Sequence, residues 1–246
     1  MTNTINGTPL NELLEGTPGD DQINGNGGDD TLKGFAGNDQ INGGSGDDTI
    51  FSGAGDDQVN GNGGNDNLRA GDEGDFMGSS TGNNQINGGS QADTIFGGAG
   101  DDQLNGNGSN DGNDLLVGFD GNDTLTGSSD QEIFVDGTGD DIIFANGGDD
   151  IIFDSPGLDQ VFLGTGAAQV VLATGEGFDT IFNFDLSQAK FVIGFFGVDS
   201  DFQNLDFFDT NQGTQIVNDG DLLAVVVGVQ ASQIDNPDLF TDSVLF

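Results

Sequence analysis

The sequence predicts an all-β fold in which short strands and tight turns alternate along most of the chain. Three observations support this prediction: a repeat of nine residues, a cluster of glycine and aspartate in the first six positions of each repeat, and an aliphatic residue at the eighth position. A period of nine matches neither a continuous helix nor a continuous strand. It matches a chain that turns, crosses, turns back and crosses again.

The repeat stays in register over most of the chain. Nine-residue units run from residue 7 to 105 and from 118 to 171, a twelve-residue unit lies between them at 106–117, and an offset copy occupies 174–182. Positions 1–6 are rich in Gly, Asn, Ser and Asp, which tolerate left-handed or tightly turned backbone. Positions 7–9 place an apolar residue between two others, as in Thr49-Ile50-Phe51. This pattern predicts a minimal strand whose central side chain faces inward.

Composition restricts the chemistry that the chain can support. There are 43 acidic residues against three basic ones, a net charge of −40, and such a surface repels nucleic acid and anionic lipid. Cys and His are absent, which excludes thiolate nucleophiles, imidazole bases and the usual zinc sites. Oxygen is the only ligand type present in quantity, and it suits hard cations such as calcium. No apolar run reaches the length of a membrane span.

The candidate metal ligands are the aspartates at position 6 of each unit. Calcium takes six to eight oxygens at about 2.3–2.6 Å, and glycine-rich turns expose backbone carbonyls because no Cβ blocks the ion. The predicted ligands are Asp21, Asp30, Asp39, Asp48, Asp57, Asp66, Asp75, Asp93, Asp102, Asp123, Asp141, Asp150 and Asp159. Asn84, Glu132 and Ala168 replace this aspartate, so we expect weaker or empty sites beside them. In the twelve-residue unit, either Asp111 or Asp114 could be the ligand.

The repeat resembles the consensus G-G-x-G-x-D-x-U-x of the RTX, or haemolysin-type, calcium-binding repeat. GGSGDDTIF at 43–51 and GGAGDDQLN at 97–105 match it closely. The resemblance implies a parallel β-roll, a β-solenoid in which two nonapeptides make one turn and calcium lies between the loops of unit n and unit n + 2. Alternate units would then share a row. One row would hold Asp21, Asp39, Asp57, Asp75, Asp93 and, beyond the insertion, Asp150; the other would hold Asp30, Asp48, Asp66, Asn84, Asp102, Asp123, Asp141 and Asp159.

The energetics of one unit indicate that folding depends on the ions. A unit buries little more than one aliphatic side chain, worth about 1.5–3 kcal/mol. Ordering its nine residues costs about 9–18 kcal/mol of backbone entropy. Stacked carboxylates repel one another and oppose closure further. We therefore expect calcium to supply the missing favourable term, so that binding and folding are coupled.

The nonapeptide pattern stops after Phe182. LDFFD at 205–209, TQIVND at 214–219 and LLAVVVGV at 222–229 predict strands, and QASQIDNPDLF predicts a short helix. This region resembles the C-terminal cap of RTX proteins exported by type I secretion, whose signal is uncleaved and C-terminal. We therefore predict a β-roll domain over residues 1–182 and a C-terminal β-strand cap over 183–246 that carries the secretion signal.

Outward positions become apolar in the last units of the repeat. Phe144, Phe153 and Phe162 would form an exposed apolar stripe. The C-terminal part of the chain could cover it, or it could be a surface for a partner or for self-association.

The function predicted from these patterns is that of a secreted bacterial calcium-binding protein, extracellular or at the cell surface, with calcium and the type I secretion machinery as partners. The alternative is a calcium-dependent structural subunit of an extracellular layer, filament or matrix. Paired carboxylates such as Asp47-Asp48 recur in register, which favours calcium turns over a catalytic acid/base pair. Because the repeat begins at about residue 7, we expect no catalytic domain and no enzyme activity. The first residues, MTNTINGTPL, lack the features of a Sec-type signal peptide.

Overall fold

Two long β-sheets pack against each other in the computed structural model, which describes residues 3–107, 112–172, 177–192, 205–218 and 221–241. Sheet 1 has twelve strands and sheet 2 has thirteen. Through the repeats the chain alternates between them, one nonapeptide contributing a strand to sheet 1 and the next a strand to sheet 2.

The strands are numbered in chain order. Sheet 1 contains, in spatial order, β1 (Asn3–Asn6), β3 (Asp21–Gly27), β5 (Gln40–Ser45), β7 (Gln58–Gly63), β9 (Phe76–Gly78), β11 (Thr94–Ala99), β13 (Leu115–Asp120), β15 (Ile133–Thr138), β17 (Ile151–Phe153), β19 (Gln169–Val171), β21 (Lys190–Val192) and β25 (Phe240–Thr241). Sheet 2 contains β2 (Leu13–Glu15), β4 (Thr31–Ala36), β6 (Thr49–Ala54), β8 (Asn67–Arg69), β10 (Gln85–Gly89), β12 (Gln103–Asn107), β14 (Thr124–Thr126), β16 (Ile142–Phe144), β18 (Gln160–Phe162), β20 (Asp179–Phe182), β24 (Asp221–Val226), β23 (Thr214–Asn218) and β22 (Leu205–Asp209).

The register of the strands confirms the predicted parallel β-roll. In each regular turn a residue pairs in parallel with the residue eighteen positions later, as Ile23 does with Ile41 and Ile41 with Val59. Across the twelve-residue unit the spacing grows by three, and Ile95 pairs with Leu116. Two nonapeptides therefore make one turn, and the insertion is absorbed without a change of register.

The core is a file of position-8 side chains from both sheets. Ile50, Leu68 and Met77 are fully buried, and they belong to one apolar cluster that runs the length of the roll. Strand alternation explains this placement, since the residues on either side of position 8 point to the opposite face. Towards the C-terminal end aromatic side chains join the file, with Phe134 and Phe191 fully buried.

Several strands in the first half of the roll, β3 to β7 among them, are longer than the three residues predicted. Strand β3 covers seven residues and β5 covers six, because pairing resumes after position 1 of the following unit. A residue with positive φ at position 2, such as Asn26 (φ 75°), bends the chain at this point. A second positive φ follows at position 4, where an added Cβ on Gly64 would lie 2.1 Å from the carbonyl oxygen of Gly46. Only glycine fits such a turn without strain.

The C-terminal residues extend both sheets. The predicted strands are present as β22, β23 and β24, an antiparallel meander that continues sheet 2 because β24 pairs in parallel with β20. The predicted short helix is α1 (Ala231–Ile234), and a 3₁₀ turn (Pro237–Leu239) leads into β25, which pairs with β21. No helix among the described residues combines the length and apolar character needed to cross a bilayer.

The expected apolar stripe is divided between the two sheets. Phe144 and Phe162 lie on adjacent strands of sheet 2, and their rings stack with a centroid distance of 4.9 Å. Phe182 continues this stack at 4.4 Å from Phe162. Phe153 lies on sheet 1 instead, since consecutive units alternate between the sheets. Phe144 is 37% exposed, so this end of the ladder remains open to solvent.

The pair Ile50 and Phe51 tests the assignment of inner and outer faces. Ile50 is fully buried, whereas its neighbour Phe51 is 38% exposed on the outer face. We expect Ile50→Ala to lower the free energy of unfolding of the calcium-loaded protein by about 2–5 kcal/mol because it leaves a cavity. Phe51→Ala removes a larger side chain yet should cost less. Chemical denaturation in saturating calcium measures both, and an equal or larger loss for Phe51→Ala would contradict the assignment.

Candidate metal centre

The position-6 side chains form two rows, one along each line of stacked loops. Row 1 contains Asp21, Asp39, Asp57, Asp75, Asp93, Asp114, Glu132 and Asp150; row 2 contains Asp30, Asp48, Asp66, Asn84, Asp102, Asp123, Asp141, Asp159 and Asp179. The structure thus brings the thirteen predicted aspartates together in the two expected sets. All of these side chains are buried, and the aspartates are at most 3% exposed.

Each regular row aspartate uses its two carboxylate oxygens differently. The Oδ1 atom of Asp39 accepts a hydrogen bond from the backbone N–H of Asp21, one turn earlier, at 2.8 Å. The N–H of Asp39 in turn donates to Oδ1 of Asp57, also at 2.8 Å. The Oδ2 atom has no protein partner although it is buried, and this holds for Asp30, Asp39, Asp48, Asp57, Asp93, Asp102, Asp114, Asp123, Asp141 and Asp159. A buried carboxylate oxygen without a donor is strongly unfavourable unless a cation binds it.

Glycine at position 1 keeps open the space in front of these free oxygens. A Cβ added to Gly43 would lie 2.3 Å from Oδ2 of Asp48 and 3.0 Å from the carbonyl oxygen of Gly61, one turn later. At Gly34 the corresponding distances are 2.2 Å to Oδ2 of Asp39 and 2.4 Å to the carbonyl oxygen of Ser52. At these two units carboxylate and carbonyl oxygens therefore converge on the place that a Cβ would take. Such an all-oxygen donor set fits calcium.

The electrostatics of the rows also favour a cation. Burial, together with the charges of Asp114 and Asp75 in the same row, raises the pKa of Asp93 to about 8. Burial raises the pKa of Asp123 to about 7. The hydrogen bond from the neighbouring backbone N–H opposes these increases but does not cancel them. Stacked carboxylates therefore resist ionisation until a positive charge compensates them.

The adjacent position-5 residues have a separate structural role that the sequence analysis missed. Asp47 is exposed, and its Oδ1 accepts the backbone N–H of Asn65, one turn later, at 2.8 Å. Its own N–H donates to Oδ1 of Asp29, one turn earlier, at 3.0 Å. These bonds run opposite to those of position 6, in which the acceptor always lies one turn later. The paired acidic residues thus join each turn to both of its neighbours.

Two of the residues that replace the row aspartate form hydrogen bonds with other protein groups. The Nδ2 atom of Asn84 donates to Oδ1 of Asp102 at 2.9 Å. The carboxylate of Glu132 accepts bonds from the backbone N–H and the hydroxyl of Ser128, at 3.1 and 2.5 Å. Ala168 is buried and offers no side-chain oxygen. These contacts favour the prediction that the calcium sites beside the three residues are weak or empty, and it remains a prediction.

Three predicted ligands also differ from the regular pattern, because their Oδ2 atoms accept protein hydrogen bonds. The donor is Ser79 Oγ for Asp66, at 2.9 Å. It is the backbone N–H of Gly71 for Asp75, at 3.3 Å. For Asp21 it is the backbone N–H of Thr17. A cation at these places competes with a hydrogen bond that the ten unpartnered Oδ2 atoms do not receive.

The twelve-residue unit places Asp114 in row 1. The backbone N–H of Asp93 donates to Oδ1 of Asp114 at 2.8 Å, as in a regular unit. Asp111 lies outside the described residues. The three inserted residues precede Asp114, so the carboxylate still reaches the loop position that a nine-residue unit would give it.

Sequence reasoning overlooked three buried aspartates near the end of row 2. Asp179 occupies position 6 of the offset copy at 174–182. Asp136 and Asp154 stand at position 1, where the consensus has glycine, and both are buried. The repeat register contained the signal, since a charged residue stands at position 1 in two successive units of the same row and in no other unit from residue 7 to 171.

A β-roll lined by two rows of inward carboxylates and turn carbonyls defines a calcium-binding repeat protein. The family model of the RTX calcium-binding nonapeptide repeat matches residues 6–34, 15–50, 33–68, 42–77, 79–112, 109–131, 126–161 and 135–169. These matches together span 6–77 and 79–169, which is more than half of the chain, and the protein belongs to this family.

Other comparisons add little to this assignment. No curated protein matches the chain. Among solved structures, the crystal structure of extracellular lipase LipA from Serratia marcescens is similar, with a TM-score of 0.35 and 17% identity over 98% of this chain and 40% of the lipase chain. The chain thus spans less than half the length of that lipase, and nothing is carried over from its activity.

The neighbours Asp47 and Asp48 provide a matched pair for testing the rows. Asp48→Asn keeps an Oδ1 acceptor but replaces the free Oδ2 with an amide, so we expect weaker calcium binding and one or more ions fewer at a given calcium concentration. Asp47→Asn should change neither, since asparagine occupies position 5 naturally at Asn65 and Asn83. Isothermal titration calorimetry with calcium chloride measures both variants. Equal losses of calcium binding in the two variants would show that the net charge of the protein, and not the position of the carboxylate in the row, governs binding.

The raised pKa values predict how the calcium-free chain responds to pH. Burial raises the pKa of row carboxyls from 3.8 to between about 6 and about 8 in the folded state, so the calcium-free folded state binds more protons than the unfolded chain. Its stability must therefore rise as pH falls from about 8 towards 4. We expect circular dichroism in chelator to show more β structure at pH 5 than at pH 8.

Calcium binding should show the opposite dependence on pH, because protons compete with the ion for the same oxygens. The calcium concentration at the folding midpoint is expected to increase on acidification. A calcium-free chain that loses β structure when the pH is lowered from 8 to 5 would contradict the expected gain of stability. A calcium concentration at the folding midpoint that falls on acidification would contradict the expected competition between protons and calcium.

Proposed function

We propose that this chain is a secreted calcium-binding protein whose roll forms when calcium ions occupy rows 1 and 2. The observation that carries the proposal is the series of buried Oδ2 atoms without a protein partner, repeated turn after turn. Ten buried carboxylates in this state far exceed what a native fold leaves unsatisfied without a reason. Calcium between successive turns would satisfy them and remove the repulsion within each row.

Coupling of folding to binding follows from the thin core. Between β3 and β12 the buried apolar residues are the position-8 residues alone, from Ile23 to Leu104. At about 1.5–3 kcal/mol for each buried side chain, this core does not offset the backbone entropy of nine residues. The hydrogen bonds between turns offset part of this cost, and the ions supply the rest, so a millimolar extracellular supply of calcium would fold the protein and a low intracellular level would leave it unfolded.

Export, location and the absence of enzyme activity are parts of the same proposal. The resemblance of residues 183–246 to the cap of type I-secreted RTX proteins supports export by that machinery into the medium or onto the bacterial surface. The division of the chain at residue 182 remains a prediction. The described residues consist of roll, meander and short helical turns, and we propose that they act by binding calcium and not as an enzyme.

Circular dichroism with and without calcium tests the proposal. We expect a disordered spectrum in chelator at pH 8 and a β-rich spectrum in millimolar calcium, with a cooperative transition between them. Magnesium chloride at the same concentration controls for ionic strength, and it should induce less β structure because Mg²⁺ demands a smaller, near-octahedral site. A β-rich spectrum of the same intensity in chelator would refute calcium-dependent folding.

The exposed aromatic ladder favours a second candidate function, a calcium-dependent structural subunit. Phe144, Phe162 and Phe182 stack on the outer face of sheet 2, with centroid distances of 4.9 and 4.4 Å, and Phe144 is 37% exposed. An outward apolar ladder of this kind is suited to association with a second copy. Light scattering in calcium separates the candidates, since a discrete monomer supports the binding protein and growing polymers support the subunit. Phe144→Ser should reduce the size of such polymers. It should leave the rows unaffected, because their residues face inward and Phe144 lies on the outer face.

A further inference from the structure

A cluster of buried carboxylates lies at the end of row 2, beyond the regular repeats. Among the described residues, side-chain oxygens of Asp136, Asp154 and Asp159 all lie within 4.8 Å of one another. The three residues are 0%, 6% and 1% exposed. Asp159 belongs to row 2, but Asp136 and Asp154 stand at position 1, which contributes no side chain in a consensus unit.

The geometry of position 1 explains why these side chains reach the row. In a regular unit such as the one at 118–126, a Cβ on Gly118 would lie 2.2 Å from Oδ2 of Asp123 and 2.2 Å from the carbonyl oxygen of residue 136. A Cβ at this position therefore points at the row carboxylate of its own unit and at the next turn, and the neighbouring atoms must shift where a side chain is present. Two aspartates here, eighteen residues apart on adjacent turns, place two additional carboxylates against the row.

Free oxygens face this cluster from two of its members. Oδ1 of Asp136 accepts the backbone N–H of Gly137 at 2.8 Å, whereas Oδ2 is fully buried and has no hydrogen-bond partner. Oδ1 of Asp159 accepts the backbone N–H of Asp141 at 2.7 Å, and its Oδ2 is also without a partner. Asp179, the next member of row 2, is also buried, and its carboxyl group interacts electrostatically with those of Asp154 and Asp159.

The protein supplies no positive charge to this cluster from its described residues. The chain has three basic residues. Lys33 pairs with Glu15 at 3.0 Å, and Lys190 donates to the backbone carbonyl of Asp238. Arg69 is exposed on β8, several turns away. The negative charge of the cluster must therefore be compensated from outside the protein, either by a bound cation or by protons shared between the carboxyl groups.

We infer that Asp136, Asp154 and Asp159 form an additional cation site inside the roll, distinct from the sites between consensus turns because its ligands come from position 1. Its donors are carboxylates alone, a set that selects hard divalent cations, of which calcium is the one the rest of the roll is built for. Two position-1 carboxylates and a row carboxylate offer more negative charge than a single consensus turn. The site therefore binds calcium more tightly than its neighbours in row 2.

Glycine substitutions test the site while restoring the consensus sequence. Asp136→Gly and Asp154→Gly together give both units the glycine that position 1 has in the regular roll, so the fold is expected to persist and Asp159 keeps its place in row 2. Because glycine at position 1 restores consensus turns that can themselves bind calcium, we expect the double variant to lose the tight site and not a row site. When calcium chloride is titrated from low concentration and followed by native mass spectrometry, the first ion should bind at a higher calcium concentration than in the parent protein. Asp149→Asn, at the exposed position 5, is the matched control and should bind the parent number.

The outcomes separate this inference from the proposed function. A double variant that binds its first ion as tightly as the parent protein, with equal or greater thermal stability in calcium, would overturn the inference and show that the cluster shares protons. A parent protein that binds no calcium at all would overturn the proposed function as well. If the double variant does not give the β-rich spectrum of the parent, Asp136→Asn decides instead, since it preserves side-chain size. A loss of one ion in that variant supports the site, and a full complement overturns it.

Discussion

Stacking of identical loops is the constraint on which the rest of the roll depends. Neighbouring parallel strands lie about 4.7–4.9 Å apart, so a carboxylate repeated every eighteen residues is held close to another carboxylate above and below it. The sheet geometry fixes this spacing and the chain cannot relax it. Every other feature of the loops deals with the resulting concentration of negative charge: the glycine at position 1, the division of the two carboxylate oxygens, and the free Oδ2 atoms directed to the interior.

The two acidic positions solve different parts of this problem. At position 6, Oδ1 accepts a hydrogen bond from the preceding turn and Oδ2 is buried without a protein partner, as in Asp39. Position 5 bonds the following turn from the solvent side, where charge is less costly, as Asp47 does. Because the two sets of bonds run in opposite directions, each turn is fixed to both neighbours through side chains as well as through the sheet. A neutral residue is therefore tolerated at position 5 but alters the metal site at position 6.

Periodicity made the fold and the rows predictable from sequence. A nine-residue repeat with one inward residue determines which side chains share a face and, through the eighteen-residue turn, which carboxylates share a row. The repeat pattern could not predict the contacts of individual side chains in the irregular units. The hydrogen bond from Ser79 to Asp66 and the capture of Glu132 by Ser128 depend on individual side chains in irregular units. Phe153 lies apart from Phe144 and Phe162 because consecutive units alternate between the two sheets. The prediction of a single apolar stripe did not take this alternation into account.

Stability shifts from metal to apolar packing along the roll. In the first half the interior has a single aliphatic side chain for each unit. From β13 onward outer-face positions are buried as well, with Ile151 at 1% and Val171 at 0% exposure, and aromatic residues such as Phe134 enter the core. Over the same stretch the row aspartate is replaced by Glu132 and Ala168. Apolar burial of about 25 cal/mol for each Å² does not depend on calcium. Under the proposed coupling of folding to calcium, the C-terminal turns and the meander that continues sheet 2 depend less on bound ions than the N-terminal turns do.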